Sequence, residues 1–500
     1  MRRGLPVAAL ALLAGTALAG CSGGASPATH FVPDVGARVD GASAWQPRLL
    51  AALGDPTTSG LKAWTPRFDA APKAYDIDGD GRDELIAQAD DTKVYVFRLD
   101  GRVLATLPTT TPPAWHIERV LNGVEAGVLR PGEPPSIVVT THAAYVSAWQ
   151  YDAARSGEGQ LAFTKKFERR MTECHRSPGM DAKATLAKVT EDGATTIFVQ
   201  TEEVGFYALR PDGTTLWKQC WGGGNGAINV ADLDGDSRPE AIVAGDSGLI
   251  SVLDARTGAP KWSYDSRSAG IQPASIPTMV TVAELDGRSP KEILYVARHA
   301  PPGPPETFAH DHMAIFAIHA SPSGNTGELL WMRQPAWANP LSYTHLAVAD
   351  VEGDGAPDIF GMDWNTIGHR PGNWERLGPA HVFRLDAAGN DVWVREVDAW
   401  WSNQDIALAN VDGKGLSVLV NGPGGGRDGL WRLSAATGAA EGFLPLKDWK
   451  MARGPVVHDL RHDGRMQLVF PVVPLEGPPR GAILAFDLGA AFDAPWPGAP

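Results

Sequence analysis

From about residue 70 onward, apolar positions come in short runs broken by clusters of Gly, Asp, Pro and Asn, and the 3.6-residue period of an amphipathic helix is almost absent. The cleanest stretch is GAINVADLDGDSRPEAIVAGDSGLISVLDARTGAPKWSY, residues 226–264. Its pattern predicts strands at Ala227–Ala231, Ala241–Ala244, Leu249–Leu253 and Pro260–Tyr264, separated by the turn signals DGDSRP, GDSG and ARTG. The same pattern recurs. DIDGDGRDELIA from Asp76 and DVEGDGAPDIFG from Asp350 align with DLDGDSRPEAIV from Asp232, and weaker copies start at Glu284, Asn410 and Asp459. Two more segments, from Val128 and Lys188, keep the apolar pattern without the acids. Eight units of four short strands, about 55 residues apart, define an all-β chain and predict a β-propeller of eight blades, with seven as the alternative. The eighth unit has no evident fourth strand, so an N-terminal strand near Leu61–Phe68 is expected to complete it and close the ring.

Residues 76–84, DIDGDGRDE, place five carboxylates in nine positions. Two carboxylates about 4 Å apart repel by roughly 1 kcal/mol in water and about 4 kcal/mol at the dielectric of a protein surface, so a positive charge is expected among them. Oxygen ligands fall at positions 1, 3, 5 and 9, with a backbone carbonyl at position 7. The first loop offers Asp76, Asp78, Asp80 and Glu84 with the Arg82 carbonyl; the second Asp232, Asp234, Asp236 and Glu240 with that of Arg238; the third Asp350, Glu352, Asp354 and Asp358 with that of Ala356. Hard, all-oxygen coordination on a flexible glycine-bearing loop suits Ca²⁺ better than Mg²⁺, and about three ions are expected. An EF-hand would need a glutamate at position 12, where this chain has Ala87, Val243 or Gly361. In the partial copies Arg288, Lys414 and Arg461 stand at ligand positions and are expected to fill those sites in place of metal.

The nine-residue spacing followed by an apolar strand resembles the FG-GAP or VCBS repeat of integrin α-subunit propellers and many bacterial surface proteins. That resemblance implies a calcium-bearing propeller that works by binding, and it covers most of the chain beyond residue 36.

The N-terminus, MRRGLPVAALALLAGTALAGC, has a basic start, a short apolar run and small residues before Cys21. Residues 1–20 read as an export signal, and Leu18–Cys21 resembles the bacterial lipobox, which implies lipidation of Cys21. Ser22 resembles the signal for outer-membrane retention in a host with two membranes. Residues 21–35 have the composition of a flexible tether, and the propeller is expected over 36–500. The formal charge of −14, which becomes −16 once Arg2 and Arg3 leave with the signal, argues against nucleic acid and suits divalent cations. Export also sets how the remaining cysteines are read. Cys174 and Cys220 lie 14 and 12 residues before the unit starts at 188 and 232, equivalent points of neighbouring blades, and a disulfide between them is expected.

Other signals have simpler readings. Gly245–Gly248, GDSG, resembles a serine-protease nucleophile segment but falls between two strands as a hairpin, and His310-Asp311-His312 lies in a proline-rich insertion. Leu253–Gly258 followed by Trp262 resembles the tryptophan-docking motif of pyrroloquinoline-quinone propellers, which implies packing between blades and not a cofactor. Rhamnogalacturonan lyases share DxDGDG loops on eight-bladed propellers and give the alternative of a polysaccharide-active enzyme, but no residue here is assigned to catalysis. A further alternative is an outer-membrane assembly lipoprotein, on architecture alone. The insertion at 362–378, with Trp364 and Trp374, and the pair Trp400 and Trp401 form the candidate contact surface for a protein or glycan ligand. The expected function is that of a lipid-anchored binding or scaffold module of the cell envelope.

Overall fold

The computed structural model describes residues 43–496, apart from segments of which the longest are 57–60, 111–122, 276–279, 300–311, 339–344, 369–373, 398–405, 423–427 and 476–479. The repeating turn chemistry becomes eight antiparallel sheets, one per sequence unit, and these are the blades of a β-propeller. Blade 4 shows the pattern plainly: Asn229–Ala231, Glu240–Ala244, Leu249–Asp254 and Pro260–Asp265 pair in sequence order. Blade 6 adds a two-stranded hairpin, Thr366–Gly368 with Trp374–Arg376, between its second and third strands. Among the described residues helix is confined to Pro56 and a 3₁₀ turn, Ser266–Ala269.

The period-2 alternation is what turns separate sheets into a ring. In the second strand of blade 1, Leu85, Ala87 and Ala89 pack toward blade 8, whereas Ile86 packs toward blade 2. Every second strand does the same, and the described residues form eight apolar cores, each shared by two neighbouring blades. Each fully buried Leu, Ile, Val or Phe contributes about 1.5–3 kcal/mol, so no blade has a core of its own.

The tryptophan-docking expectation is met, with the indole supplied by the preceding blade. Trp217 of blade 3 donates its indole N–H to the Ala255 carbonyl of blade 4 (2.9 Å), Trp331 of blade 5 to Ala387 of blade 6 (2.9 Å), and Trp393 of blade 6 to Ala435 of blade 7 (2.9 Å). Each ring lies flat on a turn glycine with positive φ. A Cβ on Gly258 would stand 2.6 Å from Trp217, and one on Gly438 2.8 Å from Trp393.

The last blade closes with an N-terminal strand, but that strand is Arg48–Leu53, which pairs antiparallel with Ala482–Ala491 from Arg48↔Asp487 to Leu53↔Ile483. Of the expected segment 61–68, Thr65 and Phe68 make isolated bridges, Thr65↔Gly481 and Phe68↔Ala89, while 62–64 and 66 lie outside the described residues. Proline at position 66 has no backbone N–H to give to a ladder, whereas RLLAAL offers apolar side chains to both neighbours: Ala51 and Leu53 to blade 1, Ala52 and Leu49 to blade 7. Both ends of the described residues are also laced to blade 7. Ser43–Ala44 adds in parallel to its outer strand, and in the tail the carbonyls of Asp493 and Trp496 accept from the backbone N–H groups of Asn410 (2.8 Å) and Leu408 (2.7 Å). A disulfide joins Cys174 to Cys220, as the register implied, and ties the segments that leave blades 2 and 3.

The first strands of neighbouring blades meet around the axis. There Glu125 of blade 2 is buried between Lys73 of blade 1 (2.9 Å) and Lys183 of blade 3 (2.5 Å). Against the upward push of its burial, Lys183 and Lys73 hold its carboxyl below the usual range. His458, on the first strand of blade 8, goes the other way: burial, and then the charge of Lys73, push its imidazole down to about 4. A histidine held neutral in the fold contributes stability above its unfolded value near 6.5 that is lost as pH falls toward 4, up to about 3 kcal/mol. Chemical denaturation of wild type and His458→Gln between pH 7 and 4 is expected to show a smaller acid loss in the variant; parallel curves would remove His458 from the account.

Candidate functional site

In every acidic copy the loop joins the first strand of a blade to the second, so all of them stand on one face of the ring. The fold explains how nine residues make the turn. In blade 1, Asp76 accepts the backbone N–H groups of Gly79 (2.8 Å), Asp80 (3.1 Å) and Gly81 (3.0 Å), with Gly79 and Gly81 in the left-handed region. Asp78 accepts from Asp80 N and Asp80 from Arg82 N, while Glu84, almost fully buried at the start of the second strand, accepts from Ile77 N (3.1 Å). The loops of Asp232 and Asp350 repeat these bonds: Leu233 N to Glu240 (2.9 Å), Gly353 N to Asp350 (2.7 Å) and Gly355 N to Asp350 (2.8 Å).

Carboxylate oxygens of Asp76, Asp78 and Glu84 lie within 4.8 Å of one another, as do those of Asp232, Asp234 and Glu240. Burial, with the charges of Asp78 and Asp80 adding to it, pushes the Glu84 carboxyl up to about 8. Burial also raises Glu240. A raised carboxyl is one that a divalent cation would pull back into the ionised form, so these two clusters fit a hard cation in charge and ligand type.

Blade 5 holds a trio that the sequence reading assigned to an internal cation. Glu284, Asp286 and Glu292 come within 4.8 Å of one another, and Arg288, expected to neutralise them, is exposed and forms no ion pair with described residues. Lys414 pairs with Asp412 of its own loop only at 3.8 Å, and Arg461 lies 3.8 Å from Asp487.

The cations that do reach these loops come from strands, and sequence reading missed them. Arg98, just after the third strand of blade 1, stands 3.6 Å from Asp78 and 3.5 Å from Asp80. Lys261 on the fourth strand of blade 4 bridges Asp234 (3.1 Å) and Glu240 (2.5 Å). Arg384, buried in the third strand of blade 6, grips Asp358 with Nε and Nη2 (both 2.8 Å) and also binds Glu352. Arg432 of blade 7 binds Asp412, and its Nε reaches Ser417 and Glu441 at 3.1 Å. For Arg384 and Arg432 a signal existed: a single arginine inside a mostly apolar strand, AHVFRL and GLWRLS.

Of the residues singled out as a contact surface, Trp374 alone lies among the described residues, on the side of blade 6 opposite the acidic loops. The insertion 363–379 leaves from the end of blade 6 away from the acidic loops, and Trp374 lies in its hairpin; Trp364, Trp400 and Trp401, like Cys21, lie outside the described residues. At the root of this insertion buried Asp363 takes both the backbone N–H (2.7 Å) and the ring Nδ1 (2.7 Å) of His381, and Trp337 lies against the imidazole. Gly248 N bonds to Gly245 O (3.2 Å) between two strands that pair antiparallel, as expected of a hairpin; Asp246 and Ser247 of GDSG lie outside the described residues.

No protein-family model matches the chain, and none of the curated proteins matches it. Among solved structures it is similar to Sqt1 from Saccharomyces cerevisiae, with TM-score 0.54, 10% identity, and coverage of 89% of this chain and 99% of that one. It is also similar to the quinohemoprotein alcohol dehydrogenase of Comamonas testosteroni, with TM-score 0.53, 13% identity, and coverage of 88% and 76%. BamB from Moraxella catarrhalis aligns over 84% of this chain and 97% of its own, with TM-score 0.48 and 14% identity. At such identities the likeness is one of fold, and the class defined is the eight-bladed β-propeller of four-stranded blades.

Proposed function

We propose that this chain is a lipid-tethered binding or scaffold propeller of the cell envelope, of the FG-GAP or VCBS kind, whose acidic loops hold Ca²⁺ and whose opposite face takes a protein or glycan partner. The observation that carries this reading is the division of the ring. One face bears short, self-bonded acidic turns, and the other bears a long aromatic insertion rooted on the rigid second and third strands of blade 6. Loops rooted on a rigid scaffold are where recognition concentrates. Ca²⁺, when bound, would supply positive charge to Asp76, Asp78, Asp80 and Glu84 and to Asp232, Asp234, Asp236 and Glu240, and so stiffen the turns that set the spacing of first and second strands.

The tether fits the same arrangement. The chain enters the ring at the outer edge of blade 7, and the 23 residues from Cys21 to Ser43 reach at most roughly 80 Å when extended. The propeller would therefore hang from the membrane by the rim of blades 7 and 8, with both faces open. Two arms test the reading in cells. Cys21→Ala is expected to move the chain from the membrane to the soluble fraction. A photo-crosslinking residue at 374 is expected to give higher-mass adducts that the same residue at 236 does not. Adducts at neither position, or membrane retention of the Cys21 variant, would contradict the corresponding half.

A further inference from the structure

We infer that the ring neutralises its acidic loops in two ways: by exchangeable metal in blades 1 and 4, and by a built-in arginine in blades 6 and 7, so that the loop of Asp350 is not a calcium site despite carrying the full set of ligand positions. The inference rests on the calcium reading for blades 1 and 4, and it replaces the third ion expected from sequence.

The geometry separates the loops. Arg384 sits opposite Phe360 in the ladder, two residues inward of Asp358, and Arg432 sits opposite Leu419, two residues inward of Ser417. The two arginines therefore occupy one equivalent place. Blades 1, 4 and 5 have Val96, Val252 and Ala317 there, side chains with no charge to offer. Arg384 is 4% exposed and uses its whole fork: Nε and Nη2 on Asp358, Nη2 on Glu352, and Nη1 on the Ala436 carbonyl of blade 7 (3.1 Å). A planar guanidinium gripping a carboxylate through two nitrogens is the strong form of the ion pair. It takes both oxygens of position 9 and one of position 3, which a metal would need.

The cations near the other two loops are held less firmly. Arg98 stays beyond 3.4 Å from its carboxylates, and Lys261 is a point charge on a flexible stem, about one third exposed. Either can swing into solvent when a divalent ion arrives. Arg384 cannot, because it is buried and its last nitrogen is fastened to the next blade.

The test uses the full chain in mild detergent, with bound calcium counted by mass spectrometry after equilibration in 1 mM CaCl₂, roughly the concentration at which extracellular modules bind. Asp76→Asn and Asp232→Asn are each expected to lose one ion per chain relative to wild type, and Asp350→Asn none. Arg384→Gln is expected to gain one ion, and that gain should vanish in Arg384→Gln/Asp350→Asn. Loss of an ion from Asp350→Asn alone, or no gain in Arg384→Gln, would overturn the inference. Wild type without calcium would defeat the calcium reading. The counter-ion role of Arg384 would then be read from metal-free melting, where Arg384→Gln should lower Tm by several degrees and a second change, Asp358→Asn, should restore part of it; unchanged melting would dispose of that role too.

Discussion

Deletion of residues 43–53 is expected to lower Tm by more than about 10 °C and to leave a chain that aggregates. The strand Arg48–Leu53 covers the edge of Ala482–Ala491, and its side chains enter two inter-blade cores at once. Leu53 is fully buried, and truncating it alone to alanine should cost about 2–5 kcal/mol. Removing the whole strand adds Ala51, Ala52, the ladder and the Arg48–Asp487 ion pair (2.5 Å), and exposes a ten-residue edge strand to other chains. Calorimetry and size-exclusion chromatography of the deleted chain check this. Melting within a degree or two of wild type would mean that the ring closes without its N-terminal strand.

Breaking the disulfide is the second large effect. Cys174 and Cys220 close a loop of 46 residues, for which loss of chain entropy in the unfolded state corresponds to about 4 kcal/mol. The double variant Cys174→Ser/Cys220→Ser should unfold at lower denaturant concentration with a slightly larger m-value, because its unfolded state is more open. Dithiothreitol should bring wild type to the same midpoint. Equal midpoints for oxidised wild type and the double variant would show that the bond adds nothing to the contacts between blades 2 and 3.

Eight blades, the strand order and the disulfide were legible in the sequence because a repeated period carries its own register. Turn residues mark each strand end, and alternation leaves a buried strand one way to face both neighbours. The closing strand was misplaced for a physical reason. RLLAAL has no β-branched residue and no repeat to align with, so its role follows from the empty edge of Ala482–Ala491, a tertiary fact. In the acidic loops the ligand spacing was readable, and the counter-charge was not. Arg288 and Arg461 are near in sequence but point elsewhere, whereas Lys261 and Arg384 lie 21 and 26 residues beyond Glu240 and Asp358 and reach them across the sheet. Pairing between strands sets that contact, and a nine-residue motif does not contain it.

The proposed function requires that acidic turns on one face of the closed propeller hold calcium. Thermal unfolding of the full chain with calcium, with magnesium and with chelator tests it most directly, alongside the count of bound metal. Each occupied site should add about 2.7 kcal/mol at a hundredfold excess of ion over Kd, so the sites of blades 1 and 4 predict a calcium-selective rise of several degrees and at least two ions per chain, with a third if the trio of blade 5 also fills. No bound metal and identical melting in all three conditions would contradict it.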